Sequence, residues 1–110
     1  MTAAAGLTLY DATAGASAAS VIRRYSSSFR LATALLPRRC RSAVGSIYAL
    51  VRVADEIVDG TATEAGLDGS AQRSRLDELE AETERAVATG FSANLVVHAF
   101  AVVARDAGIP

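Results

Sequence analysis

Four residues with chemically useful side chains follow one another along a short, otherwise mostly apolar part of the sequence. They are Tyr48, Arg52, Asp55 and Asp59, and they are spaced i, i+4, i+7 and i+11. In an α-helix this spacing places all four side chains along one stripe. Two carboxylates one turn apart suit Mg²⁺, which takes one or two carboxylates and completes its shell with water and phosphate oxygens. The stripe therefore predicts a magnesium site.

The same acid pair has a simpler interpretation, because acids at i, i+4 are common on solvated helix surfaces. The surrounding sequence favours the metal site. Ser42 to Val51 carry no charge, and an unpaired charge in so apolar a segment is costly. We therefore take Asp55 and Asp59 as candidate Mg²⁺ ligands.

Length and composition limit the chain to one domain. It has 110 residues, of which 51% are hydrophobic and 5% aromatic, and its formal net charge is −1. This charge does not indicate a nucleic-acid partner. The single cysteine, Cys40, excludes an internal disulfide and a multi-thiolate metal site. We identify neither a signal peptide nor a membrane span, so we expect a cytoplasmic location, free or peripherally associated with a membrane.

Charged residues are unevenly distributed along the chain. Ala12 to Ala54 contain seven arginines and no acid, whereas Asp55 to Glu84 contain ten acids and two arginines. An arginine-bearing half that faces an acidic motif would suit an anionic, metal-bridged ligand. Two alternatives stay open. The two halves are solvated and pair with each other, or the arginines bind anionic lipid or nucleic acid.

Helical periodicity and helix-stop signals predict an all-α fold of antiparallel helices joined by short loops. Residues 1–16 are small and weakly patterned, so we expect a flexible N-terminal segment there and helices over residues 17–110. The expected helices run from Ser17 to Leu36, Arg38 to Val58 or Asp59, Ala71 to Ala88, and Ser92 or Ala93 to Ala107, with a loop over Thr61 to Ser70.

The last expected helix is apolar on nearly all sides, so it should be buried against several neighbours. Its His98 is interpreted as a hydrogen-bonded core residue rather than a ligand or a base. Three partly polar helices offer too little surface to cover such a helix. The chain is therefore expected to be incomplete, or to be a small helical protein that associates through this helix with itself or with a partner.

Three ordered blocks of the sequence resemble the squalene/phytoene synthase family. They are Ser26 to Phe29, Leu35 to Pro37, and Ile47 to Asp59. The family blocks read Ser-x-Ser-Phe, Leu-Leu-Pro, and Tyr-Ala-x-x-Arg-x-x-Asp-(Asp/Glu)-x-x-Asp. The similarity extends from about Ser20 to Pro110, and the ordered combination is more specific than any one block.

This resemblance implies an isoprenoid-synthase helical fold and the head-to-head condensation of two prenyl diphosphates, as in carotenoid or squalene synthesis. It implies farnesyl or geranylgeranyl diphosphate as substrate, Mg²⁺ as cofactor, and NADPH only for squalene-type chemistry. The residues implied are Asp55 and Asp59 as Mg²⁺ ligands, Arg52 as a diphosphate contact, Tyr48 beside the departing group, and Ser28 and Phe29 at the diphosphate and prenyl end of the first helix.

The sequence also departs from the family pattern. Thr33 stands where many members have an aromatic residue, and Tyr25 where some have histidine, so the shape of the substrate pocket is expected to differ. The second Asp-rich motif of the family has no counterpart after Asp59. By this resemblance, the chain is expected to be the N-terminal part of a synthase and to be inactive alone.

Overall fold

The structure, a computed structural model, describes residues 3–25, 34–58 and 61–108. Within these ranges every regular element is helical, which confirms the predicted all-α fold class. The helices are α1 (Ala3–Tyr25), α2 (Arg38–Val58), α3 (Thr61–Glu64), α4 (Gly69–Thr89) and α5 (Leu95–Asp106). Helix α5 packs against α1, α2 and α4, so the expectation of a last helix buried on several sides is also confirmed.

The prediction of a flexible segment over residues 1–16 is wrong for its described part, because α1 begins at Ala3. Alanine has the highest helix propensity of all residues. Its small side chain also lets α1 approach its neighbours closely, and Ala14 and Ala18 are buried against Ala49 of α2 and Ala99 of α5. The sequence pattern looked weak because this contact is made by alanines rather than by large apolar residues.

The other helix boundaries follow local signals in the sequence. Helix α2 has the predicted bounds, whereas Ala34 to Leu36 form a turn and not the end of the first helix. Proline disfavours helical geometry in the residue before it, which explains the turn before Pro37. A single helical turn, α3, occupies part of the predicted 61–70 loop, which corrects that prediction.

Polar residues next to α4 and α5 cap these two helices. Asp68 accepts a hydrogen bond from the Ala71 backbone N–H at 2.8 Å, and Asn94 accepts from the Val97 N–H at 3.2 Å. Both side chains satisfy amide groups that have no partner within the helix. Gly90 ends α4 with a φ of 83°, a left-handed conformation that favours glycine.

His98 lies in the core with no exposed surface. Its Nδ1 accepts a hydrogen bond from the Ser92 backbone N–H at 3.1 Å, so the ring proton lies on Nε2. Nε2 donates to Asp11 Oδ1 at 2.6 Å. The rings of Tyr10 and Phe91 lie with their centroids 4.5 and 5.8 Å from the imidazole. The interpretation of His98 as a hydrogen-bonded core residue is therefore confirmed.

Glu82 binds the side chain of Ser92, whose backbone N–H is bound by His98. Its Oε1 accepts from the Ser92 hydroxyl at 2.8 Å, and its Oε2 accepts from Arg85 Nη2 at 2.7 Å. The bond from Arg85, and next the bond from Ser92, hold the pKa of the Glu82 carboxyl below its ordinary value of 4.5. Ionised Glu82 therefore stabilises the fold above pH 4.5, and this contribution is lost as the pH falls through the folded-state pKa.

We expect Glu82→Gln to be less stable than the parent at neutral pH, and the difference to shrink as the pH falls below 4.5. Urea denaturation at a series of pH values measures this. Glu78→Gln is the control, because the Glu78 side chain is 66% exposed and lies 3.9 Å from its arginine partner. A stability difference for Glu82→Gln that does not change with pH would contradict the assignment of a lowered pKa to the Glu82 carboxyl.

Candidate functional site

The C-terminal half of α2 carries the described part of the predicted stripe. Tyr48, Arg52 and Asp55 lie in one uninterrupted helix, so their spacing places them on one face, as predicted. Tyr48 and Arg52 are partly buried, whereas the Asp55 side chain is 55% exposed. The other predicted site residues, Asp59, Ser28 and Phe29, lie outside the described residues, and their roles stay predictions.

Arg52 is held from several sides. Its Nη2 donates to Glu56 Oε1, and its Nη1 lies 3.9 Å from Asp55 Oδ2. Its Cζ lies 5.1 Å from the centroid of the Tyr25 ring at the end of α1, which is within the range of a cation–π interaction. Its Nε is buried and has no acceptor among the described residues. The guanidinium is therefore fixed where α1 and α2 meet.

Glu56 connects the end of α2 to the start of α3. Its Oε2 accepts from the Thr61 backbone N–H at 3.3 Å and also from the Thr61 hydroxyl. The Thr61 hydroxyl, and then the positive charge of Arg52, hold the pKa of the Glu56 carboxyl below its ordinary value, although desolvation opposes this. Glu56 is therefore an ionised acceptor shared between two segments of the chain.

The contacts that Glu56, Thr61 and Tyr25 make at this site were not predicted from the sequence. Glu56 follows Arg52 by four residues, and this spacing of opposite charges is a common intrahelical ion pair, so the signal was available. The role of Thr61 depends on where α3 begins relative to the end of α2. The role of Tyr25 depends on how α1 packs against α2, which the local sequence does not encode.

The side chains around Asp55 suit a partly hydrated Mg²⁺ ion better than a metal ion that is enclosed by protein ligands alone. Within the described ranges, no group of three or more His, Cys, Asp or Glu side chains is arranged to hold a metal ion. Mg²⁺ does not require such a group, because it keeps several waters and takes further oxygens from substrate phosphates. The exposed Asp55 carboxylate beside Arg52 is therefore a suitable first ligand for a hydrated ion that also contacts an anion.

A second feature lies between α1 and the first half of α2. It is a cavity of about 640 Å³ whose lining includes Arg23, Arg38 and Arg41 and the apolar Ile22. In the part of the chain that the structure describes, none of these three arginines forms an ion pair with a carboxylate. The general pairing of the basic half with the acidic half, one of the open alternatives, is therefore not seen for these arginines.

Comparison with known proteins identifies the family. The family model for squalene/phytoene synthase matches residues 22–110 of the 110-residue chain. The chain belongs to the squalene/phytoene synthase family, and the resemblance in its motifs is confirmed. The matched region contains all of α2 to α5 and the last residues of α1.

Searches of curated proteins and of solved structures find no match. Among the described residues, no helix combines the length and the apolarity that crossing a bilayer requires.

Proposed function

We propose that this chain supplies the first metal- and diphosphate-binding half-site of an enzyme that condenses two prenyl diphosphates head-to-head. The observation that carries the proposal is the pairing of an exposed carboxylate, Asp55, with the held guanidinium of Arg52 on one face of α2, inside the region that matches the family. The proposed substrate is farnesyl or geranylgeranyl diphosphate, and NADPH takes part only if the reaction is of the squalene type.

Each side chain has a separate task in this proposal. Asp55 and Asp59 hold Mg²⁺, which when bound neutralises charge on the departing diphosphate. Arg52 donates to a diphosphate oxygen from Nη1, because Nη2 already donates to Glu56 and Nη1 lies 3.9 Å from Asp55 Oδ2, which is too far for a hydrogen bond. Tyr48 lines the pocket beside the leaving group, while Ser28 and Phe29 contact the diphosphate and the prenyl chain.

The Asp55→Asn, Asp59→Asn double variant tests the half-site. Calorimetric titration with Mg²⁺ and a non-hydrolysable prenyl diphosphate analogue is expected to show metal-dependent binding to the parent chain. The double variant should bind at least about tenfold more weakly, since even outer-shell changes reduce metal affinity by that factor.

The control is Asp77→Asn combined with Asp106→Asn, which makes the same change in charge at exposed positions. Equal affinity in the two double variants would contradict the metal assignment. No binding to the parent chain would show that these residues do not form a half-site in this chain.

A second candidate function is self-association. The expected surface was the last helix, but α5 is largely covered by its own chain, and the exposed apolar residues of the described chain include Ile47, Val51 and Val58 of α2. Their exposed fractions are 46% for Ile47, 53% for Val51 and 53% for Val58. Sedimentation equilibrium distinguishes the candidates, because a dimer that is unaffected by the diphosphate analogue would favour association as the function.

A further inference from the structure

We infer that Glu56, together with Thr61, is a positioning residue that orients Arg52 and links the end of α2 to the start of α3. The contacts of Glu56 carry this inference. Its consequence for ligand binding rests on the proposed function, because Arg52 is there the diphosphate contact. The two parts are tested by different measurements.

The two adjacent acids of the motif, Asp55 and Glu56, have different surroundings. Both carboxylate oxygens of Glu56 are engaged, Oε1 by Arg52 Nη2 and Oε2 by the N–H and hydroxyl of Thr61. Only 22% of the Glu56 side chain is exposed, whereas 55% of the Asp55 side chain is exposed. The ion-pair contact that the structure describes for Asp55 is with Arg52, at 3.9 Å. To ligate a metal, Glu56 would have to release one of its partners, whereas Asp55 is accessible.

The contacts of Glu56 determine which part of Arg52 faces a ligand. Nη2 is bound to Glu56 on one side, and the Tyr25 ring lies 5.1 Å from Cζ on another. Nη1 is left on the side of Asp55. A donor that is held in place before the ligand arrives loses little conformational entropy on binding. Glu56 thus keeps one guanidinium donor beside the proposed metal-ligand carboxylate.

Thr61 makes the same carboxylate a link between helices. The backbone N–H of Thr61 is the first amide of α3, and its bond to Glu56 spans five residues of chain. The hydroxyl adds a second bond to the same oxygen. Two donors from one residue restrict rotation of the carboxylate, so Thr61 supports the orientation of Glu56 as Glu56 supports that of Arg52.

Nuclear magnetic resonance of the Arg52 side chain tests the positioning without any ligand. In the parent, the buried Nε–H of Arg52 is expected to exchange slowly with water. Exchange should accelerate by about tenfold in Glu56→Gln, as expected for the loss of one charge-assisted hydrogen bond. Exchange should also accelerate in Thr61→Val. In Thr61→Ser, which keeps the hydroxyl, exchange should stay as slow as in the parent. Glu78→Gln is the control for loss of a glutamate charge.

Titration with Mg²⁺ and the prenyl diphosphate analogue tests the consequence for binding. We expect Glu56→Gln and Thr61→Val to weaken metal-dependent binding by about tenfold, and Thr61→Ser to bind like the parent. Parent-like exchange at Arg52 in Glu56→Gln would overturn the inference, whatever the binding data show. Faster exchange with unchanged, metal-dependent binding would overturn only the consequence for the ligand. Absence of binding to the parent would instead count against the proposed function.

Discussion

His98→Leu is expected to lower the free energy of unfolding by about 3 kcal/mol, because it removes two hydrogen bonds at a fully buried position. The Ser92 N–H now donates to Nδ1, and Nε2 donates to Asp11. Leucine retains much of the volume but leaves the Ser92 amide without an acceptor. Urea denaturation measures the loss, which should appear as a lower midpoint with an unchanged slope.

Asp11→Asn is the matched control for this prediction. An asparagine oxygen still accepts from His98 Nε2, and the Asp11 side chain is 36% exposed, so the change should cost less than about 1 kcal/mol. If both variants lost the same stability, the contribution assigned to the hydrogen bond between the Ser92 N–H and His98 Nδ1 would be wrong. The comparison therefore separates the loss of the buried imidazole from the loss of the Asp11 charge.

Ala14→Leu is expected to destabilise the fold by about 2 kcal/mol, because three extra carbon atoms must enter a tightly packed contact. Ala14 has no exposed surface and packs in one cluster with Ala18, Ala49 and Ala99. The contact joins α1 to α2 and α5, so no neighbour can move without shifting a helix. Chemical denaturation measures the loss of stability.

Ala16→Leu makes the same change two residues away, where the side chain is exposed, and should alter stability by less than about 0.5 kcal/mol. The pair of variants also tests whether the first sixteen residues belong to the fold. Equal effects at the two positions would contradict the burial of α1 against α2 and α5.

Both predictions bear on the functional site through α1. The cation–π contact of Arg52 is made with Tyr25, the last residue of that helix. The contacts of Ala14 and Asp11 fix the same helix against α2 and α5. A displaced α1 would therefore be expected to release Arg52 on its Tyr25 side while its bond to Glu56 is retained.

Much of the fold was predictable because its signals are local. The bounds of α2 follow from Pro37 before it and from a continuous helical pattern within it. The ends of α4 and α5 follow from Gly90 and from capping side chains. The first half of α1 was not predictable in this way, because alanine is weakly hydrophobic and its burial depends on how closely two helices approach.

The sequence by itself determined the family, the helical class, and the alignment of Tyr48, Arg52 and Asp55 on one helix face, because helical spacing and an ordered motif depend only on the order of residues. Only the tertiary structure decided that Tyr25 lies over Arg52, that Thr61 binds Glu56, and that His98 joins Asp11 to the loop before α5. These contacts depend on how α1 and α3 are placed against α2 and on how α5 packs in the core. Such placements result from the packing of whole surfaces, which no local pattern specifies.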